Sequence, residues 1–149
     1  MPRRKVVIAG IAFAGIAMAV SEAMAHDAIT LRRKIMKAVG TAAKEASEMT
    51  KGQRPFDAVR AATHMNLIAR AWPEVVHLFP KGSETGGRTR AAAEIWKSFA
   101  EFETEGRKMA SDAALAADAA TQGLEAFKVA FEPVALSCKS CHVTYMTRD

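Results

Sequence analysis

Between Ile29 and Tyr145 the apolar residues of this chain return at intervals of three and four, and a rhythm of that period commits a chain to amphipathic helices. In the first stretch Ile29, Met36, Val39, Ala43 and Met49 fall near one stripe, and Lys51-Gly52 followed by Pro55 ends it, which predicts a helix over about 28–50. The second stretch starts at Pro55, a favourable first-turn residue, and runs through Val59, Leu67, Ile68, Trp72 and Val75 to Phe79; Pro73 is expected to kink or divide it. Pro80 to Gly87, with Gly82, Gly86 and Gly87, reads as a loop. Ile95, Phe99, Phe102, Met109, Ala113 and Ala116 predict a third helix over about 89–118, interrupted only by Gly106, which suggests a close helix contact. Leu124, Phe127, Phe131, Val134, Cys138, Cys141 and Tyr145 form the fourth stripe, in a register that points both cysteines inward. Pro133 is expected to bend or break that helix about a turn before them. With mostly short connections, the fold class is all-α, an antiparallel up-down-up-down four-helix bundle.

The front of the chain has another purpose. Arg3, Arg4 and Lys5 precede the apolar run Val6–Val20, and Ala23-Met24-Ala25 is a small-x-small cleavage site, so residues 1–25 read as a secretory signal peptide. Residues 26–149 then form one domain, exported to the periplasm and not membrane-spanning once processed. Removing Arg3, Arg4, Lys5 and Glu22 turns 21 basic and 16 acidic residues into 18 and 15, a net charge of +3. These charges interleave along the helices as solvated faces, which speaks against nucleic acid as a partner and leaves a modest attraction for acidic protein surfaces.

The chemistry lies in Cys138-Lys139-Ser140-Cys141-His142, the C-x-x-C-H pattern of haem attachment. Two thiols add across the vinyl groups and pin the ring, and the imidazole after the second cysteine is at the right distance to bind the iron. Other uses of two cysteines remain open: a disulfide, a redox dithiol, or half of a zinc site. A thioredoxin-like dithiol needs a strand leading into it and a zinc site needs more ligands nearby, and neither pattern is present in the sequence.

Beyond this motif, Leu31-Arg32-Arg33-Lys34-Ile35-Met36-Lys37, Leu78-Phe79-Pro80-Lys81-Gly82-Ser83 with Thr85-Gly86, and Ile95-Trp96 leading into Phe99 recur in one family. Over residues 28–149 the chain resembles the class II cytochromes c, the cytochromes c-prime and their low-spin relatives. The resemblance implies one haem c attached through Cys138 and Cys141, His142 as proximal ligand, and Met36 at the position facing the distal side of the ring. It also implies that Arg32 and Arg33 approach the haem propionates, although a basic pair on a helix is commonly a solvated face. If the Met36 thioether binds the iron, the protein is a soluble electron carrier serving redox partner proteins. If Met36 only packs over the ring, the iron is five-coordinate and open to nitric oxide or carbon monoxide. The Arg-x-x-x-Met-Lys run favours ligation. So does a departure on the proximal side, where the family commonly has Arg or Lys four residues after the histidine and this chain has Met146.

The remaining candidates are assigned to structure. His64 and His77 read as ordinary, partly exposed histidines, and His26 as the first residue of the mature chain. Trp72, Trp96, Phe99 and Phe102 read as bundle core with some haem contact, and Met49, Met65 and Met109 as core. No acid–base pair or distal histidine suggests enzymatic turnover. Monomer and homodimer are both open.

Overall fold

The structure, a computed structural model, describes residues 12–148, the first twelve of these as backbone only. Five helices follow in order: α1 (Ala12–Thr50), α2 (Ala58–Val75), α3 (Glu94–Lys97), α4 (Phe99–Ala120) and α5 (Leu124–Tyr145), with a 3-10 turn at Val76–Leu78. The four long ones, α1, α2, α4 and α5, make a four-helix bundle. The α2–α4 and α4–α5 seams are the most closely packed, α1 leans on α2, and α1 meets α5 over only a short stretch. Among the described residues no helix is long and apolar enough to cross a membrane.

Several boundaries depart from the sequence reading. Helix α1 does not begin at 28 but runs back to Ala12, because the alanine-rich segment between them holds no proline and favours helix. Residues 1–11 of the expected leader lie outside the described residues. Helix α2 starts at Ala58 and not at Pro55: the Asp57 carboxylate accepts the Arg60 backbone N–H at 2.9 Å and caps the first turn. Pro73 does not divide α2. Its ring is exposed, and the helix continues to Val75 before tightening into the 3-10 turn. Pro133, also exposed, leaves α5 unbroken from Leu124 to Tyr145.

The third predicted helix is in fact two, split at Ser98, whose φ −125° and ψ 51° are not helical and whose hydroxyl donates to Glu94 Oε1 at 3.0 Å. Residues 89–93 are not helical either. They pair with the tail that follows α5, through an antiparallel bridge between Ala91 and Met146.

The core comes in two clusters. One gathers Met49, Met65, Ile68, Phe127, Phe131 and Val134; the other gathers Trp72, Val75, Ile95, Phe102 and Tyr145. Met49 and Met65 are fully buried, as expected, and Met109 is partly so. Phe99 departs from its core assignment, with 38 % of its surface exposed. Gly106 does mark a close contact, because Trp72 of α2 lies directly over its Cα.

Candidate haem site

On α5 a step of three residues turns about 300°, so Cys138 and Cys141 lie about 60° apart on the inner face while Lys139 and Ser140 point to solvent. Both thiols are half-buried. Cys138 packs against the first core cluster and Cys141 against the second, and Ile35, Met36 and Met109 border both. The cysteines therefore stand at the division between two apolar clusters, beside the thin α1–α5 seam. A flat apolar ring tethered to both thiols suits that division, as no group centred in either cluster would.

Burial pushes the Cys138 thiol up, and pushes Cys141 up to about 11 with Glu105 and Cys138 adding to the effect. Redox dithiols work with depressed thiol pKa values, so this environment is the wrong one for that chemistry. Among the described residues no group of three or more His, Cys, Asp or Glu side chains converges as a zinc site requires.

His142 is the most open of the three motif residues. Partial loss of water holds its imidazole below the usual value, and Arg90 adds to the shift; the neutral ring is the form that binds iron. Ser137 and Thr144 share an open groove of about 710 Å³ with Glu105 and Lys108 of α4, and Lys139 and Ser140 also line it. His142 stands about 140–160° round the helix from Ser137 and Thr144, and so toward α1. On α1, Ala38 and Ala42 face α2 alongside His64 and Leu67. Met36 sits about 120° from Ala42, on the flank turned from α2. The half-buried thioether and the imidazole thus flank the same seam.

Arg32 overturns the solvated-face reading: only 4 % of it is exposed. Its Nη1 donates to the Leu78 carbonyl and to Ser83 Oγ, both at 2.9 Å, and its Nη2 to the Ser83 carbonyl and Thr89 Oγ1, both at 2.7 Å. Phe79 and Trp96 cover the guanidinium at 4.6 and 5.7 Å from their ring centroids. Burial lowers its pKa to about 10, with Glu84 opposing. All four terminal N–H bonds go to neutral oxygens around the loop, so the donors of Nη1 and Nη2 are satisfied within the chain, and the Glu84 carboxylate is the charge that acts on the guanidinium. Arg33 is exposed. Replacing Arg32 by Leu orphans several buried loop acceptors and is expected to cost about 1–3 kcal/mol, read as a lower melting temperature.

The other histidines stay outside the site. His64 pairs with Glu45 at 3.1 Å, which holds that carboxyl below the usual range, and His77 and His26 are exposed. The sequence reading missed one element, the pairing of residues 90–92 with the tail after His142. It rests on backbone bonds and leaves no residue pattern to find.

A family model described as Cytochrome C′ matches residues 27–146. The chain belongs to the cytochrome c′ family. It is 34 % identical over 142 residues to a cytochrome c′ of Rhodopseudomonas palustris, covering 95 % of this chain and 94 % of that one. It is equally 34 % identical over 117 residues to a cytochrome c-556 of Agrobacterium tumefaciens strain B2A, covering 76 % and 92 %. A solved cytochrome c′ from R. palustris superposes with a TM-score of 0.78 at 32 % identity, over 83 % of this chain and 98 % of that one. A ferrous variant of cytochrome c′ from Alcaligenes xylosoxidans with bound NO superposes at 0.73 with 25 % identity, over 83 % and 95 %. The cofactor of this cytochrome c′ relative is one covalently attached haem c, and the chain's two cysteines are those of the motif.

Proposed function

We propose that this protein is a periplasmic mono-haem cytochrome whose iron is held by His142 from one side and left open on the other to a small diatomic gas, nitric oxide or carbon monoxide. The observation that carries this reading is the likeness to a cytochrome c′ whose ferrous form holds NO. The haem supplies the redox-active iron to which such gases bind. The chain supplies the rest: Cys138 and Cys141 anchor the ring, His142 offers a neutral imidazole, and Met36 roofs the distal side. Arg32, whose terminal N–H bonds are made within the chain, would act on propionate charge through space, and Arg33 lies exposed beside it. A half-buried methionine is flexible enough to give way to a two-atom ligand. Cleavage after Ala25 would remove the front of α1 and leave His26 as the first residue. We assign no catalytic turnover.

One observation favours a second reading. Met36 lies on the flank toward His142, which fits a thioether bound opposite the imidazole in an electron carrier. The reduced spectrum of the holoprotein separates the two. A broad high-spin band that shifts under carbon monoxide is expected; sharp low-spin bands indifferent to carbon monoxide would establish the carrier instead. Met36→Ala is then expected to leave the high-spin spectrum in place and to raise carbon monoxide affinity by removing the roof. Conversion of a low-spin parent to high spin by the same change would identify Met36 as a ligand.

A further inference from the structure

The outward side of α5 carries a regular pattern of its own. Ala126, Val129, Pro133, Leu136, Ser140 and Val143 follow one another in steps of three, four, three, four and three, the spacing of a coiled-coil seam. Phe127, Phe131 and Val134 already bury the inward side of the helix in the bundle, and this seam lies opposite them. Val129, Leu136 and Val143 are 75 %, 60 % and 59 % exposed, and Pro133 and Ser140 are exposed between them. Three large aliphatic side chains one heptad apart make an apolar strip about 21 Å long, a surface suited to another helix. Pro133, Leu136 and Val143 also line the open groove shared with α4. Two charges run along one edge of the seam. Glu132 and Lys139, seven residues apart, are both exposed, and neither makes an ion pair with a described residue.

We propose that this seam is a self-association surface, on which a second copy of the chain docks with the two α5 helices antiparallel. Charge decides the occupant. With the two-fold axis between Pro133 and Leu136, Pro133 meets the partner's Leu136, Val129 the partner's Ser140, and Ala126 the partner's Val143. The same register sets Glu132 beside the partner's Lys139 and Lys139 beside the partner's Glu132, so each charge gains the ion partner it lacks within its own chain. Moving the axis to lie between Leu136 and Ser140 sets Lys139 against the partner's Lys139 instead, which fixes the register. Leu67, the exposed leucine of the groove between α1 and α2, offers a poorer match for itself: that groove is lined by Lys34 and Lys37 and by no carboxylate. Cys138 and Cys141 lie about 160° round α5 from Leu136 and Val143, so pairing covers neither thiol. A seam this short, holding a proline and a serine, falls below the roughly 800 Å² per partner of a standard stable interface, and the dimer is one that dissociates on dilution.

Sedimentation of the holoprotein over a concentration series tests this, with the haem spectrum and far-UV circular dichroism as checks on folding. The parent is expected to pass from monomer to dimer as concentration rises, and Leu136→Glu, a change at an exposed position, to stay monomeric throughout. Glu132→Lys and Lys139→Glu are each expected to raise the dissociation constant about tenfold, because each sets like charges together at two symmetric places. Making both reversals in one chain restores the opposite pairs and is expected to return the constant close to the parent's, a recovery that two unrelated surface changes would not give. Leu67→Glu is expected to leave the constant in place. A parent that remains monomeric up to millimolar concentration overturns the proposal and leaves the seam to a different protein. So does a dimer that survives Leu136→Glu, a dimer that Leu67→Glu abolishes, or a double reversal no tighter than the weaker of the two single ones.

Discussion

Gly106→Ala is expected to destabilise the protein by about 3 kcal/mol or more, at the upper end of what one added methyl costs in a packed core. A Cβ at residue 106 would stand 2.1 Å from Cε2 and Cζ2 of Trp72 and 2.3 Å from its Cδ2, so the methyl would meet the body of the indole and not a flexible tip. The indole has little room to retreat. It is 6 % exposed and meets Phe102 edge-on at 5.1 Å, and Phe102 is itself wedged against Phe79 and Tyr145, each at 5.0 Å. Helix α4 must therefore back away from α2 along the most closely packed part of the bundle. At about 4 °C per kcal/mol, the melting temperature should fall by about 12 °C. Trp72→Leu in the same chain should restore part of the loss, because it makes room for the methyl, and a double-mutant cycle would show strong coupling between the two sites. A melting temperature within 2 °C of the parent would mean that α2 and α4 do not meet this closely.

Gly106 illustrates what could be read before the structure. A glycine in the middle of an otherwise strong helical stripe announces that something large lies against it, but not that the partner is Trp72. The four stripes announced four long helices, since apolar periodicity is a property of each segment alone. Their ends were less legible. Pro55 and Asp57 compete to start α2, and the carboxylate that caps Arg60 N–H wins. Ser98 breaks the third stripe through its own φ and ψ without changing the apolar spacing. The cysteines and His142 were legible because their spacing is itself the chemistry. Arg32 was not. Adjacent to Arg33 on the same helix, it is told apart only by the loop that folds over it with Ser83 and Thr89. The clamp between residues 90–92 and 145–147 is made mainly of main-chain bonds, which no spacing of residue types announces.

Replacing both Cys138 and Cys141 by Ser is expected to abolish covalent haem attachment altogether. The hydroxyl oxygen does not add across a vinyl group under the conditions in which a thiol does, and serine keeps the helix and nearly the volume. The protein should then lose its colour on denaturation and extraction, show no haem stain after denaturing electrophoresis, and have a mass equal to that of the polypeptide. Each single replacement should leave one thioether, because the two thiols lie on one face about 60° apart and reach the ring independently. The stability of the double variant carries a second consequence. Cys138 and Cys141 border different core clusters, so a ring anchored to both bridges them, and a group that binds only the folded chain stabilises it in proportion to its affinity. The double variant should therefore melt well below the holoprotein, and by more than either single variant, at a temperature close to that of the haem-free parent. Retention of haem by the double variant through denaturation would refute the assignment of these two residues as its anchors, and with it the slot between the two clusters as its seat.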